Sequence, residues 1–323
     1  MTRNRTLRAI RFRAMNTDIE AAVWWHRDGE PPWDDVRDWF AYVERKFSRF
    51  LPDSELSRLN AAGGAPVPAS AAMLEVLRLA SACRELTGGL FDPAILPNLE
   101  AAGYAVSFER IGARADAAEG EMPPRVRGTG DPWTIHPDLR MVSLPKGTRI
   151  DLGGIVKGWA VDKIAGWLKA RGAEAGLVGA GGDLRAWSDG ADGTDELPPW
   201  TVDIADPWVP ERSCAALEIR EAAVATSSVL GRRWQTPQGS RHHLIDPRTG
   251  KPGASDVAQC TVVGETAADA EVAAKTICLL GSRDGAAWFR AVRPQGGAVL
   301  FTFDRNVIRI GSINLSLERS IRR

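Results

Sequence analysis

The sequence predicts an α+β fold in which helices and β-hairpins alternate along the chain. Apolar side chains recur every three or four residues in several segments, as in residues 34–50, and this spacing is typical of a helix with one buried face. Other segments alternate apolar and polar residues on both sides of a turn, as in residues 133–144, which is the pattern of a β-hairpin. A regular strand–helix–strand repeat is not evident, which argues against a doubly wound parallel sheet.

Capping residues support the helices that this spacing predicts. Acidic residues open the first helix, as a helix N-terminus favours. Ser70 is a suitable N-cap for the second helix, and Gly88 and Gly89 end it. Thr266 is a suitable N-cap for the last helix. The predicted helices span residues 34–50, 70–86, 155–171 and 267–280.

The strands are predicted mainly from the alternation of apolar and polar residues. A first strand is expected over residues 7–12, and a strand interrupted by glycines over residues 176–187. The other predicted strands span residues 200–204, 217–219 and 257–263, and a closing hairpin pairs residues 298–303 with 306–310.

The length of the chain bounds its domain organisation. At 323 residues, it suits about two small domains or one large one. We expect a single domain over residues 1–323, in which two lobes can be present. Residues 113–132 are rich in Gly, Pro and charged residues, and this composition predicts a surface loop.

The composition excludes several classes of function. The 41 basic and 41 acidic residues balance, so the protein as a whole is not expected to bind nucleic acid or an anionic membrane through its net charge. No run of about 18 apolar residues is present, so no membrane span is expected. The four cysteines are far apart and favour free thiols in a reducing compartment. Because no apolar stretch follows the N-terminal arginines, we expect a cytoplasmic protein.

The most informative motif is DLGGIVKG at residues 151–158. The carboxylate of Asp151 ends a strand, two glycines allow a tight turn, and Lys157 lies in the first turn of the next helix. Main-chain N–H groups at a helix N-terminus attract phosphate, and an ammonium group adds positive charge. The motif indicates a phosphate site, although an ordinary strand–turn–helix corner with a surface lysine would contain the same residues.

Two further motifs contain residues that suit a ligand site. The GAGGD segment at residues 179–183 places glycines in a strand context, which indicates close approach of a ligand or tight packing within the fold. In RHHLIDPRTG, residues 241–250, the adjacent His242 and His243 would point to opposite sides of a strand. Only one of them can therefore face a given site, and a purely structural histidine is the alternative.

Taken in order, these motifs resemble those of one known family. The matching segments are MNT (15–17), FSRFLPDSELSRLN (47–60), GGLFDP (88–93), DLGGIVKGWAVD (151–162), VGAGGDLR (178–185), VATSS (224–228) and HLIDPRTGKP (243–252). They resemble the FAD:protein FMN transferases, the ApbE-like flavin transferases.

The resemblance implies a T-fold-like α+β architecture, with antiparallel or mixed sheets, packed helices and FAD in a cleft between two lobes. It implies an enzyme that cleaves the pyrophosphate of FAD, transfers FMN to a Thr or Ser hydroxyl of an acceptor protein, and releases AMP. Two alternatives stay open: a protein that binds FAD without transferring FMN, and an FAD pyrophosphatase that gives FMN and AMP.

The resemblance also implies roles for individual residues. His243 matches the catalytic histidine, and Lys157 is assigned both to catalysis and to contact with FAD. Gly154 would lie beside the pyrophosphate and the metal ion. The other residues assigned to the FAD site are Met15, Phe50, Leu90, Phe91, Asp92, Asp151, Gly181, Gly182 and Asp183.

The last helix departs from the family's pattern, in which an Asp and a Thr serve a Mg²⁺ site. Glu271 and Lys275 stand at these positions. One interpretation is that the ammonium group of Lys275 takes the place of the ion, since Mg²⁺ prefers oxygen ligands and is repelled by a cation. The other is that Lys275 points to solvent and pairs with Glu271, which leaves a weak Mg²⁺ site formed by Glu271 and main-chain oxygens near Gly154.

Overall fold

The computed structural model of the chain describes residues 5–111, 130–188 and 197–317. Its helices are α1 (Trp33–Phe47), α2 (Glu55–Ala61), α3 (Ala71–Leu86), α4 (Leu96–Ala101), α5 (Phe108–Ile111), α6 (Val156–Ala170), α7 (Ala267–Leu280) and α8 (Ser282–Val292). Its strands are β1 (Thr6–Ala14), β2 (Thr17–Trp25), β3 (Val67–Pro68), β4 (Thr134–His136), β5 (Met141–Ser143), β6 (Ala175–Ala180), β7 (Asp183–Ser188), β8 (Trp200–Ala205), β9 (Ser213–Ile219), β10 (Ala222–Ser228), β11 (Arg233–Thr236), β12 (Gly239–His242), β13 (Ile245–Asp246), β14 (Lys251–Pro252), β15 (Val257–Gly264), β16 (Gly297–Thr302), β17 (Val307–Ile310) and β18 (Leu315–Leu317).

Eight of these strands form one sheet, in the spatial order β1-β2-β6-β7-β10-β15-β16-β17. Every neighbouring pair in this sheet is antiparallel. Smaller sheets join β3, β5 and β4, then β18, β9 and β8, and two hairpins pair β11 with β12 and β13 with β14. Antiparallel sheets with separately packed helices are the mark of an α+β fold, so the predicted fold class is confirmed.

Both faces of the central sheet are covered. Helices α1, α3, α6 and α7 contribute apolar side chains to the cores on one face. The small sheet of β8, β9 and β18 covers part of the other face, where Ile204, Leu217 and Phe301 are buried together. Strand β10 reaches both layers, because Ala223 and Ala225 belong to the helix side and Val224 to the other.

The four predicted helices are present as α1, α3, α6 and α7, with ends shifted by up to a few residues. The predicted caps are also present: Ser70 Oγ accepts a hydrogen bond from the N–H of Met73, and Thr266 Oγ1 accepts one from Asp269, both at 3.2 Å. Helices α2, α4, α5 and α8 were not predicted. The short helix α2 is capped in the same way by Ser54.

The single strand predicted over residues 176–187 is wrong, since this segment forms two strands, β6 and β7, joined by a reversal at Gly181 and Gly182. Their φ angles are 61° and 100°, a left-handed conformation that glycine adopts without steric cost. The side chain of Thr17 lies where a Cβ atom at residue 181 would stand. Tight packing within the fold therefore accounts for Gly181.

Three other expectations can be compared with the described residues. The predicted loop at residues 113–132 lies outside them, except at residues 130–132. Across the described ranges, no helix has both the length and the apolar character that crossing a bilayer requires. All four cysteines are buried thiols.

Candidate active site

A cavity of about 510 Å³ lies on the helix side of the fold, where the start of α6 meets α7 and the β1–β2 turn. It brings together almost all of the residues that the sequence analysis assigned to the site. Those that line it are Met15, Phe50, Leu90, Phe91, Asp92, Asp151, Gly154, Lys157, Gly181, Asp183, His243, Glu271 and Lys275. Gly182 does not line the cavity and contributes only to the turn beside it.

Four charged side chains form a buried lysine–carboxylate cluster on the wall of this cavity: Lys157, Asp183, Glu271 and Lys275. The ammonium group of Lys157 donates to Asp183 and, at 2.5 Å, to Glu271 Oε1. The ammonium group of Lys275 donates to the same Glu271 oxygen at 2.7 Å and to the carbonyl oxygen of Gly154 at 3.2 Å. Glu271 therefore stands between two cations.

The crossing of helices α6 and α7 builds this cluster. Gly158 lies at the crossing, and a Cβ atom there would stand 2.5 Å from the main-chain nitrogen of Ala268. The close approach lets the N–H of Gly158 donate to Glu271 Oε2 at 3.2 Å. Asp162, one turn further along α6, accepts hydrogen bonds from the N–H groups of Ala267 and Ala268 and so caps α7.

The buried charges shift one another's pKa. Burial alone would raise the pKa of Glu271, but the ammonium groups of Lys157 and Lys275 outweigh it and lower that pKa. Burial opposes the charge of Lys157, yet the two carboxylates beside it raise its pKa. Burial, with the adjacent Glu271, raises the pKa of Asp183. With all four groups ionised, the cluster has no net charge.

Another part of the cavity wall is aromatic. Arg49, whose side chain is only 6% exposed, pairs with Asp151 at 2.8 Å. Its guanidinium carbon lies 4.2 Å from the ring centre of Phe50 and 4.7 Å from that of Tyr104. The ring of Trp234 stacks at a tilt on Tyr104, with centres 5.4 Å apart. The carboxylate of Asp151 thus holds a stacked arginine, which the sequence analysis did not anticipate.

The two adjacent histidines face different surroundings, as their alternation predicts. The imidazole of His243 lines the large cavity, and its Nδ1 atom is buried without a hydrogen-bond partner among the described residues. His242 lies in a separate small pocket, where its Nε2 atom bonds the carbonyl oxygen of Gly253 and its Nδ1 atom accepts from Leu244. Burial, followed by the charges of Arg232 and Lys275, lowers the pKa of His243 well below 6.5. The ring is therefore neutral at pH 7.

The GGLFDP segment shapes the wall beside Gly154. The carboxylate of Asp92 caps the short turn that follows it, accepting from the N–H of Ala94 at 3.0 Å, and lies 3.5 Å from Arg84. The ring of Phe91 lies 3.4 Å from the position that a Cβ atom would take at Gly154. Asp92 thus shapes the loop that carries Leu90 and Phe91 into the cavity.

The residues at the expected Mg²⁺ position do not fit that ion. Its proposed ligands, the Glu271 carboxylate and the Gly154 carbonyl, both accept hydrogen bonds from Lys275. Within the described residues, no group of three or more His, Cys, Asp or Glu side chains is placed to hold a metal. Lys275 does pair with Glu271, as the second interpretation expected, but it does not point to solvent, because its side chain is 19% exposed and bonded inside the cavity.

Several residues of the site were missed because only the fold brings them in. Arg49, Tyr104 and Arg232 line the cavity, and Asp162 fixes the start of α7. A signal for Arg49 was available, since it stands between Phe47 and Phe50, next to an aromatic residue assigned to the site. No such signal marks the others.

The fold and the site together define an α+β enzyme whose cavity combines aromatic rings, buried ammonium groups and a neutral histidine. The chain belongs to the ApbE family, whose model matches residues 15–301.

Comparisons with individual proteins support this membership. The chain is 31% identical over 251 residues to the FAD:protein FMN transferase of Vibrio cholerae serotype O1, covering 76% of this chain and 72% of the relative. It is 28% identical over 274 residues to the FAD:protein FMN transferase of Treponema pallidum, covering 80% of this chain and 73% of the relative. The structure of the flavin transferase ApbE from Vibrio cholerae superposes with a TM-score of 0.71 at 25% identity, covering 95% of this chain and 97% of that one. The ApbE protein of Thermotoga maritima shares the fold, with a TM-score of 0.75 at 23% identity, covering 94% of this chain and 97% of that one.

Proposed function

We propose that this chain is an FAD:protein FMN transferase, which binds FAD, transfers the FMN moiety to a Thr or Ser hydroxyl of an acceptor protein and releases AMP. The observation that carries the proposal is that flat rings, a buried ammonium group and a neutral imidazole line one cavity of about 510 Å³. A ligand with aromatic rings at both ends and a pyrophosphate between them has the matching chemistry. Membership of the ApbE family supports the same reaction.

We assign FAD binding to the lining residues according to their chemistry. Phe50 and Phe91 offer faces for a flat ring, and Met15 adds a polarizable contact. The start of α6, near Gly154, offers main-chain N–H groups for a phosphate. Arg49 holds Phe50 and Asp151 in place through its stacking and its ion pair, so it positions the ring-binding wall.

The proposed reaction exchanges one bond at phosphorus. The acceptor hydroxyl oxygen forms a bond to the phosphorus of the FMN half, and the bond from that phosphorus to the bridging oxygen breaks. AMP leaves with the bridging oxygen, and the acceptor gains FMN as a phosphoester. The chain's own residues hold the pyrophosphate in place and accept the proton that the hydroxyl gives up.

We assign the proton transfer to His243. A general base must be neutral before it accepts a proton, and burial together with Arg232 lowers the pKa of this imidazole, which keeps it neutral at pH 7. Its Nδ1 atom is buried and has no hydrogen-bond partner among the described residues, so it has a free position for a proton. Lys157 has a supporting role, since its ammonium group holds Asp183 and Glu271 in the cluster.

The test is to incubate the purified chain with FAD and a candidate acceptor protein encoded by a neighbouring gene. We expect AMP in the supernatant by chromatography and, by intact-mass measurement, an acceptor heavier by one FMN less one water. AMP and free FMN without a modified acceptor would indicate an FAD pyrophosphatase. Tight FAD binding without AMP would indicate a binding protein. FMN that binds as tightly as FAD would contradict the assignment of the pyrophosphate site.

We also propose a cytoplasmic location. All four cysteines are buried thiols, a state that a reducing compartment maintains. Fractionation of cells that produce the full-length protein at native level tests this, and recovery outside the cytoplasm would contradict it.

A further inference from the structure

We propose that Lys275 serves as a built-in cation for the FAD pyrophosphate, so that FAD binding and AMP release by this chain require no divalent metal ion. The inference rests on the proposed function and concerns how that same site neutralises phosphate charge. The ammonium group of Lys275 donates to Glu271 and to the carbonyl of Gly154, and these are the two oxygen atoms that a metal ion would need as ligands.

The position of the ammonium group is fixed by the fold. Lys275 follows Glu271 by one turn of α7, and their ion pair at 2.7 Å holds the side chain against the helix. Its Cε atom lies 3.5 Å from the position that a Cβ atom would take at residue 154, so the side chain packs closely against the turn before α6. The Gly154 carbonyl, just before α6, accepts its second hydrogen bond at 3.2 Å.

Of the two buried lysines, Lys275 is the one with charge to offer a ligand. Lys157 stands between two carboxylates, those of Asp183 and Glu271, and its side chain is 13% exposed. Lys275 pairs with one carboxylate, is 19% exposed and is the most accessible member of the cluster. An ammonium group donates three hydrogen bonds, and two of those from Lys275 end on described residues. The third is left for an anion in the cavity.

The same arrangement disfavours a metal ion. Mg²⁺ requires near-octahedral oxygen ligands at about 2.0–2.1 Å. Glu271 Oε1 already accepts from two ammonium groups, and a dication close to them would be repelled in a poorly screened site. The ammonium group of Lys275 therefore supplies fixed positive charge beside the pyrophosphate, at the place where Mg²⁺ would otherwise be recruited.

The first test needs no variant. The affinity of the purified wild-type chain for FAD, and its rate of AMP release, are measured in excess EDTA and in millimolar MgCl₂. We expect both quantities to agree within about twofold, a difference of less than 0.5 kcal/mol. Loss of binding or of AMP release in EDTA, restored by Mg²⁺, would overturn the inference while leaving the proposed function intact.

Two substitutions then separate the lysine from a merely structural role. Lys275→Met removes the charge and keeps the chain length, and we expect FAD affinity to fall by about 10–100-fold, the range for losing a charged hydrogen bond. Lys275→Thr supplies an oxygen, and we expect its FAD binding to become dependent on Mg²⁺. Electron paramagnetic resonance with Mn²⁺ as the probe should detect a bound ion in Lys275→Thr and none in wild type.

Lys163→Met is the matched control, because this exposed lysine of α6 pairs with Glu75 away from the cavity. It should leave FAD affinity unchanged. An unchanged affinity in Lys275→Met, or Mn²⁺ bound in the wild type at the same site, would overturn the inference. Metal-independent FAD binding with no AMP under any condition would overturn the transferase function and support the role of Lys275 in binding. No FAD binding under any condition would overturn both.

Discussion

Glu271 is the residue on which the lysine–carboxylate cluster depends, and its substitution by Gln tests that arrangement. Its carboxylate is 2% exposed and accepts from Lys157 at 2.5 Å, from Lys275 at 2.7 Å and from the N–H of Gly158 at 3.2 Å. In Glu271→Gln, two buried ammonium groups share the single carboxylate of Asp183. Leaving a buried charge uncompensated costs about 3–5 kcal/mol, so we expect this loss of unfolding free energy.

Thermal unfolding followed by circular dichroism measures the effect. At about 2–4 °C per kcal/mol for a domain of this order of size, the melting temperature of Glu271→Gln should fall by about 6–20 °C at pH 7. The double variant Glu271→Gln/Lys275→Met removes one cation along with the anion and keeps Lys157 with Asp183. We expect it to recover about 1–3 kcal/mol of the loss, the coupling energy typical of residues in one network.

The effect of pH on the stability of the fold follows from the lowered pKa of Glu271. A carboxylate whose pKa is lowered in the folded state stabilises the fold above its unfolded-state pKa, about 4.5, and loses that contribution as the pH falls through the folded-state value. The difference between wild type and Glu271→Gln should therefore be full at pH 7 and shrink below pH 4.5. A shift in melting temperature below about 2 °C at pH 7, or a double variant no more stable than the single one, would refute the reasoning.

Four further predictions concern other parts of the site. His243→Ala should reduce AMP release by about 10²-fold or more while FAD still binds, and His242→Ala should have a mild effect; the reverse order in a kinetic assay would contradict the assignment of the base. The acid limb of the wild-type rate profile should lie below pH 6.5, because burial lowers the pKa of His243. Arg49→Met should raise the dissociation constant for FAD in a titration, because it removes the ion pair with Asp151. Gly158→Ala should lower the free energy of unfolding by about 1–3 kcal/mol or more in a denaturant titration, since a Cβ atom there would meet the main chain of Ala268.

The parts of the fold that the sequence predicts are those set by local pattern. Helices α1 and α7 have periodic apolar faces or caps, and the sequence locates both. Strand β10 was missed because its sequence, AAVATSS, does not alternate: Ala223, Val224 and Ala225 are all buried, since both faces of the central sheet are covered there. Helix α2 was missed because it is short and its sequence is largely polar, which is typical of a loop. Its cap, Ser54, was not recognised from the sequence.

The sequence predicts the parts of the site whose geometry is set by neighbouring residues. It does not predict the parts that form where distant segments of the chain meet. The turn before α6 and the alternation of His242 and His243 follow from neighbouring residues. The pair of Glu271 and Lys275 was also visible, but the sequence left open whether Lys275 faces the site or the solvent. Its burial depends on the crossing of α6 and α7 at Gly158, and no spacing within either helix reveals that contact.

The hairpin of β11 and β12, which leads directly into His243, is attached to the fold by side chains instead of a shared strand ladder. Among the described strands, β11 and β12 pair only with each other. Trp234 holds the hairpin, since its indole N–H donates to the carbonyl of Ala102 at 2.7 Å and its ring rests on Tyr104. Amide protons of this hairpin should thus exchange with deuterated solvent through local opening, well before those of β10 and β15, whose release requires global unfolding. We expect such opening to expose His243, the residue that follows β12, while the ladder of the central sheet stays intact.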